Sequence, residues 1–453
     1  MARLTAAARR PPPPGVRVVI DIRPLQEPER TPITAEYLDQ LLSAYAADPL
    51  SGESFVVLSR AMRNDPSHDL EDDGLPVVGR RVLPPTSRVF RSAGLTLDSF
   101  LLRGAELGTS RGADETGGAG AVYHTAGGAV PLASGLPVVA TLLDLAAWEL
   151  PQTYAASVAA RFGHRLRARV LHDAARVIVC SRATAESARR RLHLPVERIA
   201  VIPLAVDRAF RDDGRDPDRQ AELSQRLELP PRYLVFSGRY DARRDMSSLF
   251  RALRRLRDEA SPAASRSAAR RRVDPTRRRR AEPVAGPPVL VLDARDIGAA
   301  DLATLTRAVG RAGIAELVRL TPPLDRAQRA ALIGGSTALV YPCLSEGTGL
   351  PALEALSLGV PVICSRAGAL PEIVGNAGIV VEPRDPARLA AAMSALWAEG
   401  ALADQLRRQA ARRAEGPQRS WQDVARETRE AYAVAAGAAA ASDAPAAGSV
   451  RRR

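Results

Sequence analysis

The sequence predicts an α/β protein of two doubly wound domains, each a parallel sheet covered on both faces by helices, with a ligand cleft between them. Two observations carry this. Short apolar runs alternate with amphipathic helical segments, as strands buried on both faces require. The alternation then closes near residue 207 and restarts at Tyr233-Leu234-Val235-Phe236-Ser237. Sheets of this kind bind ligands at the carboxyl ends of their strands, so the cleft is the natural site.

The elements follow in order. Residues 16–22 form a first buried strand, and residues 34–47 a helix with Tyr37, Leu38, Leu41, Leu42 and Tyr45 on one stripe. Further strands are expected at 54–58, 121–124, 137–141, 177–180 and 199–202, and the glycine-rich stretch 108–120 reads as a mobile loop. The second half continues from 233–237 through 289–292, 316–320, 338–341 and 360–364. An Arg-rich insert at 260–286 interrupts the link between a helix and the next strand, where a solvent loop tolerates it. The expected organisation is a basic tail at 1–15, a first domain at 16–207, a second at 208–420, a helix at 421–435 packing back near the first, and a disordered tail at 436–453.

With 453 residues and 46% hydrophobic composition, the chain has enough material for real cores. Its net charge of +13 raises a nucleic-acid reading, which the location of the charge weakens. Residues 1–15 carry +3, residues 260–286 carry +6 and residues 437–453 carry +2, which leaves +2 for the body. All 64 basic residues are Arg, the mark of a biased coding composition more than of a binding face. The Arg-rich segments suit a peripheral contact with an anionic membrane face. Without an apolar run of about 18 residues or a secretory start, the expected location is cytoplasmic. Cys180, Cys343 and Cys364 sit in apolar stretches and read as reduced core thiols.

The most informative stretch is E-G-T-G-L-P-A-L-E, from Glu346 to Glu354, between the apolar run ending at Tyr341 and Gly359. Two glycines permit a sharp turn and close approach to a ligand, and Pro351 suits a first helical turn. Free amides at that helix start favour a phosphate. Helical side chains lean toward their N-terminus, so Glu354 points back toward Glu346 and two carboxylates frame a site for a hydroxyl-rich ligand. The bland reading is a strand-to-helix turn with surface glutamates.

Together with the sequel from Gly359 to Pro386, this block resembles the donor-site signature of the retaining glycosyltransferases of family 4, which have the GT-B fold of two Rossmann-like domains. The resemblance spans roughly residues 16–435. It implies transfer of a hexosyl unit from a nucleoside diphosphate sugar to a hydroxyl acceptor such as a glycan, a lipid-linked sugar or a small molecule. Neither a metal nor a separate cofactor is implied. Glu354 would hold the ribose hydroxyls and Glu346 would sit by the transferred sugar. Gly347, Thr348, Gly349 and Leu350 would present amides to the sugar and the distal phosphate, and residues 320–324 would line the base. In the segment 236–246, Arg239 matches the arginine that grips the diphosphate, and Arg244 stands where lysine is usual. Arg243 and Arg244 read otherwise as plain surface charge.

The first half departs from the family. Leu143 stands where a histidine precedes the Asp, and residues 29–34 replace a glycine-containing loop. The alternative reading is therefore a GT-B protein that binds a nucleotide sugar without transferring it, as a regulatory or assembly partner. His124, after a strand, either lines the cleft in place of the missing histidine or is structural. A P-loop is excluded by the absence of Lys. Asp216-Pro217-Asp218 has a metal-binding form but sits in a polar stretch that reads as a solvated linker, and no Cys/His spacing suggests zinc.

Overall fold

The computed structural model describes residues 15–60, 65–83, 120–127, 130–131, 134–260, 286–295, 297–398 and 400–443. The readings placed on 1–14, 108–119, 261–285 and 444–453 lie outside the described residues.

Seven strands build the first sheet: β1 (Arg17–Asp21), β2 (Ser54–Arg60), β3 (Val77–Leu83), β4 (Ala121–Ala126), β5 (Val138–Leu142), β6 (Arg176–Val179) and β7 (Ile199–Val201). Six build the second: β8 (Leu234–Arg239), β9 (Leu290–Arg295), β10 (Val318–Leu320), β11 (Ala338–Tyr341), β12 (Val362–Ser365) and β13 (Gly378–Val381). The orders are β3-β2-β1-β4-β5-β6-β7 and β10-β9-β8-β11-β12-β13. Pairing is parallel throughout both sheets. The order reverses beside β1 in one sheet and beside β8 in the other, which opens a crevice at the carboxyl ends of those strands.

The central strands are buried on both faces, as their unbroken apolar runs require. Two strands, β3 and β13, lie outside the expected set, one at an edge of each sheet. β3 carries Gly79, Arg80 and Arg81 and leaves Val78 and Val82 exposed at the sheet edge, while β13 is only partly buried.

The closing helix, Trp421–Asp443, lies on the first sheet against the Pro32–Ala47 helix and β4, β5 and β6. Trp421, Val424, Ala425, Ala431, Tyr432 and Ala435 form its buried stripe and join the core of Tyr37, Leu38 and Leu41. A buried ion pair between Arg429 and Glu53, at 2.7 Å, adds a charged tie. The helix runs past the expected end at 435 because the Ala-rich continuation to 443 has the strongest intrinsic helix preference. His124 belongs to this packing and not to the cleft. It is fully buried, with Nε2 2.9 Å from the Thr141 hydroxyl and Nδ1 2.7 Å from the Tyr432 hydroxyl, and burial lowers its pKa to about 3. The ring is a neutral core histidine.

Two helices, Arg208–Arg215 and Pro217–Arg226, replace the expected solvated linker. Asp216 caps the second by accepting from the amides of Asp218 and Arg219, with Pro217 in the first turn. Its carboxylate therefore serves the helix end. The three cysteines are free and buried.

Candidate active site

After β11 the chain passes through Pro342 and Cys343 to Glu346, turns at Gly349 and enters the helix Leu350–Ser357. Gly349 caps that helix at φ 61°, a left-handed conformation that disfavours a side chain, and Pro351 occupies the first turn as expected. Two of the four amides expected to stand free, those of Thr348 and Gly349, are taken. One Glu346 oxygen accepts from Thr348 N at 3.2 Å, Gly349 N at 3.0 Å and the Thr348 hydroxyl at 3.1 Å. A carboxylate two and three residues before those amides is their nearest acceptor, so the chain satisfies its own turn.

The other Glu346 oxygen accepts from Arg244 at 2.6 Å and from the Tyr341 hydroxyl at 3.1 Å. Arg244 stacks 4.5 Å above the Tyr341 ring and also points Nη1 at the Cys343 sulfur, 2.9 Å away. Burial by itself raises the Glu346 pKa, but Arg244, Arg243 and the Gly349 amide outweigh it and hold the group at about 2. Neither arginine of the pair is surface charge. Arg243 is buried too, donating to Asp241 at 2.5 Å and to Asp144 of the first domain at 3.0 Å.

Glu354 lies one turn into the helix, buried, and its carboxylate accepts from Arg295 at 2.7 Å. Arg295 ends β9 and also faces Glu36, 3.9 Å away on the Pro32–Ala47 helix of the first domain. Asp293 lies 3.5 Å from Arg329 and accepts from the Ser237 hydroxyl at 2.8 Å. Burial and the nearby Glu354 raise the Glu36 pKa against the pull of Arg295, Arg329 and Arg326. Arg239, at the end of β8, donates across the cleft to the Arg30 carbonyl at 3.2 Å and meets no carboxylate among the described residues. Beyond β10, the Thr321 hydroxyl is buried without a partner in the stretch assigned to the base.

The two domains meet closely here. A Cβ added to Gly347 would lie 2.1 Å from the Leu143 carbonyl oxygen, so only glycine permits the approach. The Thr184 hydroxyl donates to the Gly347 carbonyl at 3.1 Å. Glu149 joins Ser345 to Ser187 with two 2.6 Å bonds. Glu372 accepts from the Arg182 and Ala183 amides at 3.1 and 3.2 Å, capping a helix of the opposite domain. Residues 29–34, which stand where a glycine loop was expected, bring Pro32 and Ile33 over Glu346 and Thr348 and leave a cavity of about 30 Å³. A larger cavity of about 620 Å³ opens beside it, lined from both domains by Leu143, Trp148, His164, Arg167, Arg239 and Tyr240 among others.

The structure thus gathers Glu346, Arg244, Gly347, Thr348, Gly349 and Leu350 at one point, with Arg239 at its rim. Glu354 joins them through Arg295. Sequence reasoning misses Arg295 and Glu36, whose only signals are a place after a strand and a place on the polar side of a helix. Among the described residues, no group of three or more His, Cys, Asp or Glu side chains is arranged to hold a metal ion.

Two family models match the chain, one in each half. The model described as "Glycosyltransferase Family 4" matches residues 116–210, and that described as "Glycosyl transferases group 1" matches residues 291–399. A D-inositol 3-phosphate glycosyltransferase of Streptomyces avermitilis is 31% identical over 249 residues, 54% of this chain and 48% of the relative. An O-antigen chain mannosyltransferase B of Escherichia coli is 41% identical over 106 residues, 22% of this chain and 26% of the relative. The chain spans about half the length of the first of these, and less of the second. Among solved structures, a sucrose-phosphate synthase from Thermosynechococcus elongatus superposes with a TM-score of 0.63 at 17% identity, covering 92% of this chain and 98% of that one. Anabaena Alr3699/HepE in complex with UDP and glucose gives 0.62 at 16% identity, with the same coverages. The fold is that of the GT-B glycosyltransferases.

Proposed function

We infer that this chain, of the family-4 GT-B type by both its matched halves and its fold, is a retaining, metal-independent glycosyltransferase that moves a hexosyl unit from a nucleoside diphosphate sugar to a hydroxyl acceptor. One observation carries the reading. At the carboxyl ends of β8 and β9, three guanidiniums converge with Glu346 and Glu354, and one of them, Arg239, has no carboxylate partner among the described residues. That set suits a ligand with two phosphates and vicinal hydroxyls.

The chemistry asks little of side chains. The bond from the anomeric carbon to the diphosphate breaks, the bond to the acceptor oxygen forms on the same face, and the hydroxyl proton passes to the departing phosphate. Charge builds on that phosphate, so Arg239 and Arg244 lower the barrier by electrostatic stabilisation. Glu346, held ionised, orients the sugar and balances its developing positive charge. Glu354 takes the ribose hydroxyls. Gly347, Thr348, Gly349 and Leu350 offer amides, those of Thr348 and Gly349 once Glu346 turns away from them.

The cavity beside Glu346 is small, about 30 Å³, and Pro32, Ile33 and Glu36 line it, so a nucleotide seated there displaces them. Glu36 stands beside Arg295 and Glu354 in the place assigned to the ribose. The work belongs to polysaccharide or glycoconjugate synthesis in the cytoplasm, with the Arg-rich segments drawing the protein toward an anionic membrane face. No helix among the described residues is long and apolar enough to cross a membrane.

Incubation with UDP-, GDP- and ADP-hexoses and an acceptor panel, followed by NMR of the product, tests this. The expected product keeps the donor's anomeric configuration and forms equally with EDTA. An inverted product overturns retention, EDTA-sensitive turnover overturns metal independence, and nucleotide-sugar binding without any turnover leaves a donor-binding protein only.

A further inference from the structure

The cavity of about 620 Å³ is large enough for a sugar-sized molecule, and its charges are unevenly satisfied. Arg243 is met by Asp241 and Asp144, and Arg30 pairs with Glu27 at 2.5 Å. Arg239 is committed to the diphosphate by the reading above. Arg167 remains. It sits on the helix Val158–Asp173, and its guanidinium lies 5.3 Å over the Trp148 ring. Its Nε is buried without a partner, and no carboxylate pairs with it among the described residues. Burial pushes its pKa down and only the nearby Asp144 opposes this, though that carboxylate is already engaged by Arg243 and the Ala146 amide. The side chain is half-buried at the cavity wall, and an anionic ligand would meet there a guanidinium that no carboxylate of the described residues holds.

One turn earlier on the same helix face, His164 also lines the cavity. Its Nε2–H donates to the Tyr154 carbonyl at 3.0 Å, which leaves Nδ1 as a lone-pair acceptor, buried and without a partner. Trp148 stands between the two, its ring 5.8 Å from that of His164. The wall therefore offers, within one helical turn, an acceptor for a hydroxyl, a flat apolar ring and an unpaired fork of N–H donors. The remaining acidic lining residue, Asp301, is exposed on the far domain.

We propose that His164, Trp148 and Arg167 form the acceptor subsite, and that the acceptor is a hydroxylated small molecule carrying a phosphate or carboxylate. Arg167 takes the anionic group, Trp148 packs against the ring carbons and His164 Nδ1 accepts from a hydroxyl. This rests on the glycosyltransferase reading for the word acceptor, but the binding itself can be measured apart from donor binding.

Calorimetric titration of the full chain, with and without a saturating nucleoside diphosphate, compares glucose 6-phosphate, glucuronate, glucose and inorganic phosphate. One of the two charged sugars binds about tenfold or more tightly than glucose, the scale of a charge-assisted hydrogen bond. The phosphate and carboxylate arms decide which anion the site takes. Arg167→Met removes that preference and Arg167→Lys keeps part of it, while nucleoside diphosphate affinity stays unchanged in both. His164→Ala weakens glucose and its charged forms alike.

Equal binding of glucose and both charged sugars overturns the proposal, as does an intact preference in Arg167→Met. Inorganic phosphate binding as tightly as glucose 6-phosphate overturns the acceptor assignment. Should Arg167→Met not fold, Arg167→Lys and the wild-type ligand series still decide. Failure of every nucleoside diphosphate to bind sinks the donor reading and leaves the comparison of sugars intact.

Discussion

Glu346 and Arg244 form an ion pair of 2.6 Å with both side chains almost wholly buried, and a second shared neighbour, Tyr341, stacks on one and donates to the other. Removing one partner strands a charge in a dry site, which typically costs about 3–5 kcal/mol. Glu346→Ala and Arg244→Ala are therefore expected to lower the melting temperature clearly, with Glu346→Gln and Arg244→Lys less damaging. Thermal unfolding of the four variants checks this. Wild-type melting in Arg244→Ala would mean that the pair is solvated and contributes nothing.

The same pair sets an acid limit. Glu346 is depressed from 4.5 to about 2, so the folded state binds its proton less readily than the unfolded chain. Its contribution is present in full above pH 4.5 and is lost as pH falls from about 4.5 to about 2, on the order of 3 kcal/mol at most. Stability measured across that window should fall less steeply in Glu346→Gln than in the wild type. Parallel curves would refute the depressed pKa.

Gly347 meets the Leu143 carbonyl so closely that any side chain forces the domains apart. Gly347→Ala is expected to open the cleft, raising the radius of gyration in small-angle scattering while each domain keeps its fold. Gly298→Ala, where a Cβ meets open space, serves as the control. An unchanged scattering profile in Gly347→Ala would show that the contact is not maintained in solution.

What was legible in the sequence was what is local. The turn at Gly349, the proline in the first helical turn and the carboxylate one turn in are written within nine residues, and the structure realises them. The buried strands were legible because their runs are apolar on both faces. Contacts from distant segments were not. Glu36 and Glu354 are brought together only by domain closure, and in a chain whose every base is Arg nothing singles out Arg295. His124 shows a related limit, since a strand buried on both faces carries no pattern that tells core from cleft. Residues 212–219 read as linker because their charge density hides a cap signal, Asp216 before Pro217, that the helix uses.

Glu36 supplies a prediction of opposite sign. Its pKa is raised in the closed protein, first by burial and then by Glu354, so its ionised form opposes the closed state. The groups facing it are Glu354, Arg295, Arg329 and Arg326. The cost is absent below about pH 4.5, where folded and unfolded chains both hold the proton, grows as pH rises above that value and is complete once pH has passed the raised folded pKa. Glu36→Gln should therefore stabilise the protein at pH 8 and change little at pH 4, measured as melting temperature at both values. A stabilisation that is equal at the two values, or a loss at pH 8, would place the net balance with Arg295 instead.

The ribose assignment of Glu354 can be separated from its ion pair. Glu354→Ala removes a buried carboxylate and strands Arg295, whose other acidic neighbours stand at 3.9 and 4.0 Å, so a loss of stability alone says nothing about nucleotide. Arg295→Met removes the same pair from the other side, and the double variant removes both charges. If Glu354 accepts from ribose hydroxyls, Glu354→Ala and the double variant each weaken nucleoside diphosphate binding by roughly 1–3 kcal/mol. Arg295→Met alone should spare or improve binding, because it frees the carboxylate for the ligand. Binding of a nucleoside diphosphate is measured by calorimetry against its 2′,3′-dideoxy analogue, which should lose most of the difference between wild type and Glu354→Ala. Equal weakening by Glu354→Ala for both ligands would make Glu354 a structural partner of Arg295 and nothing more.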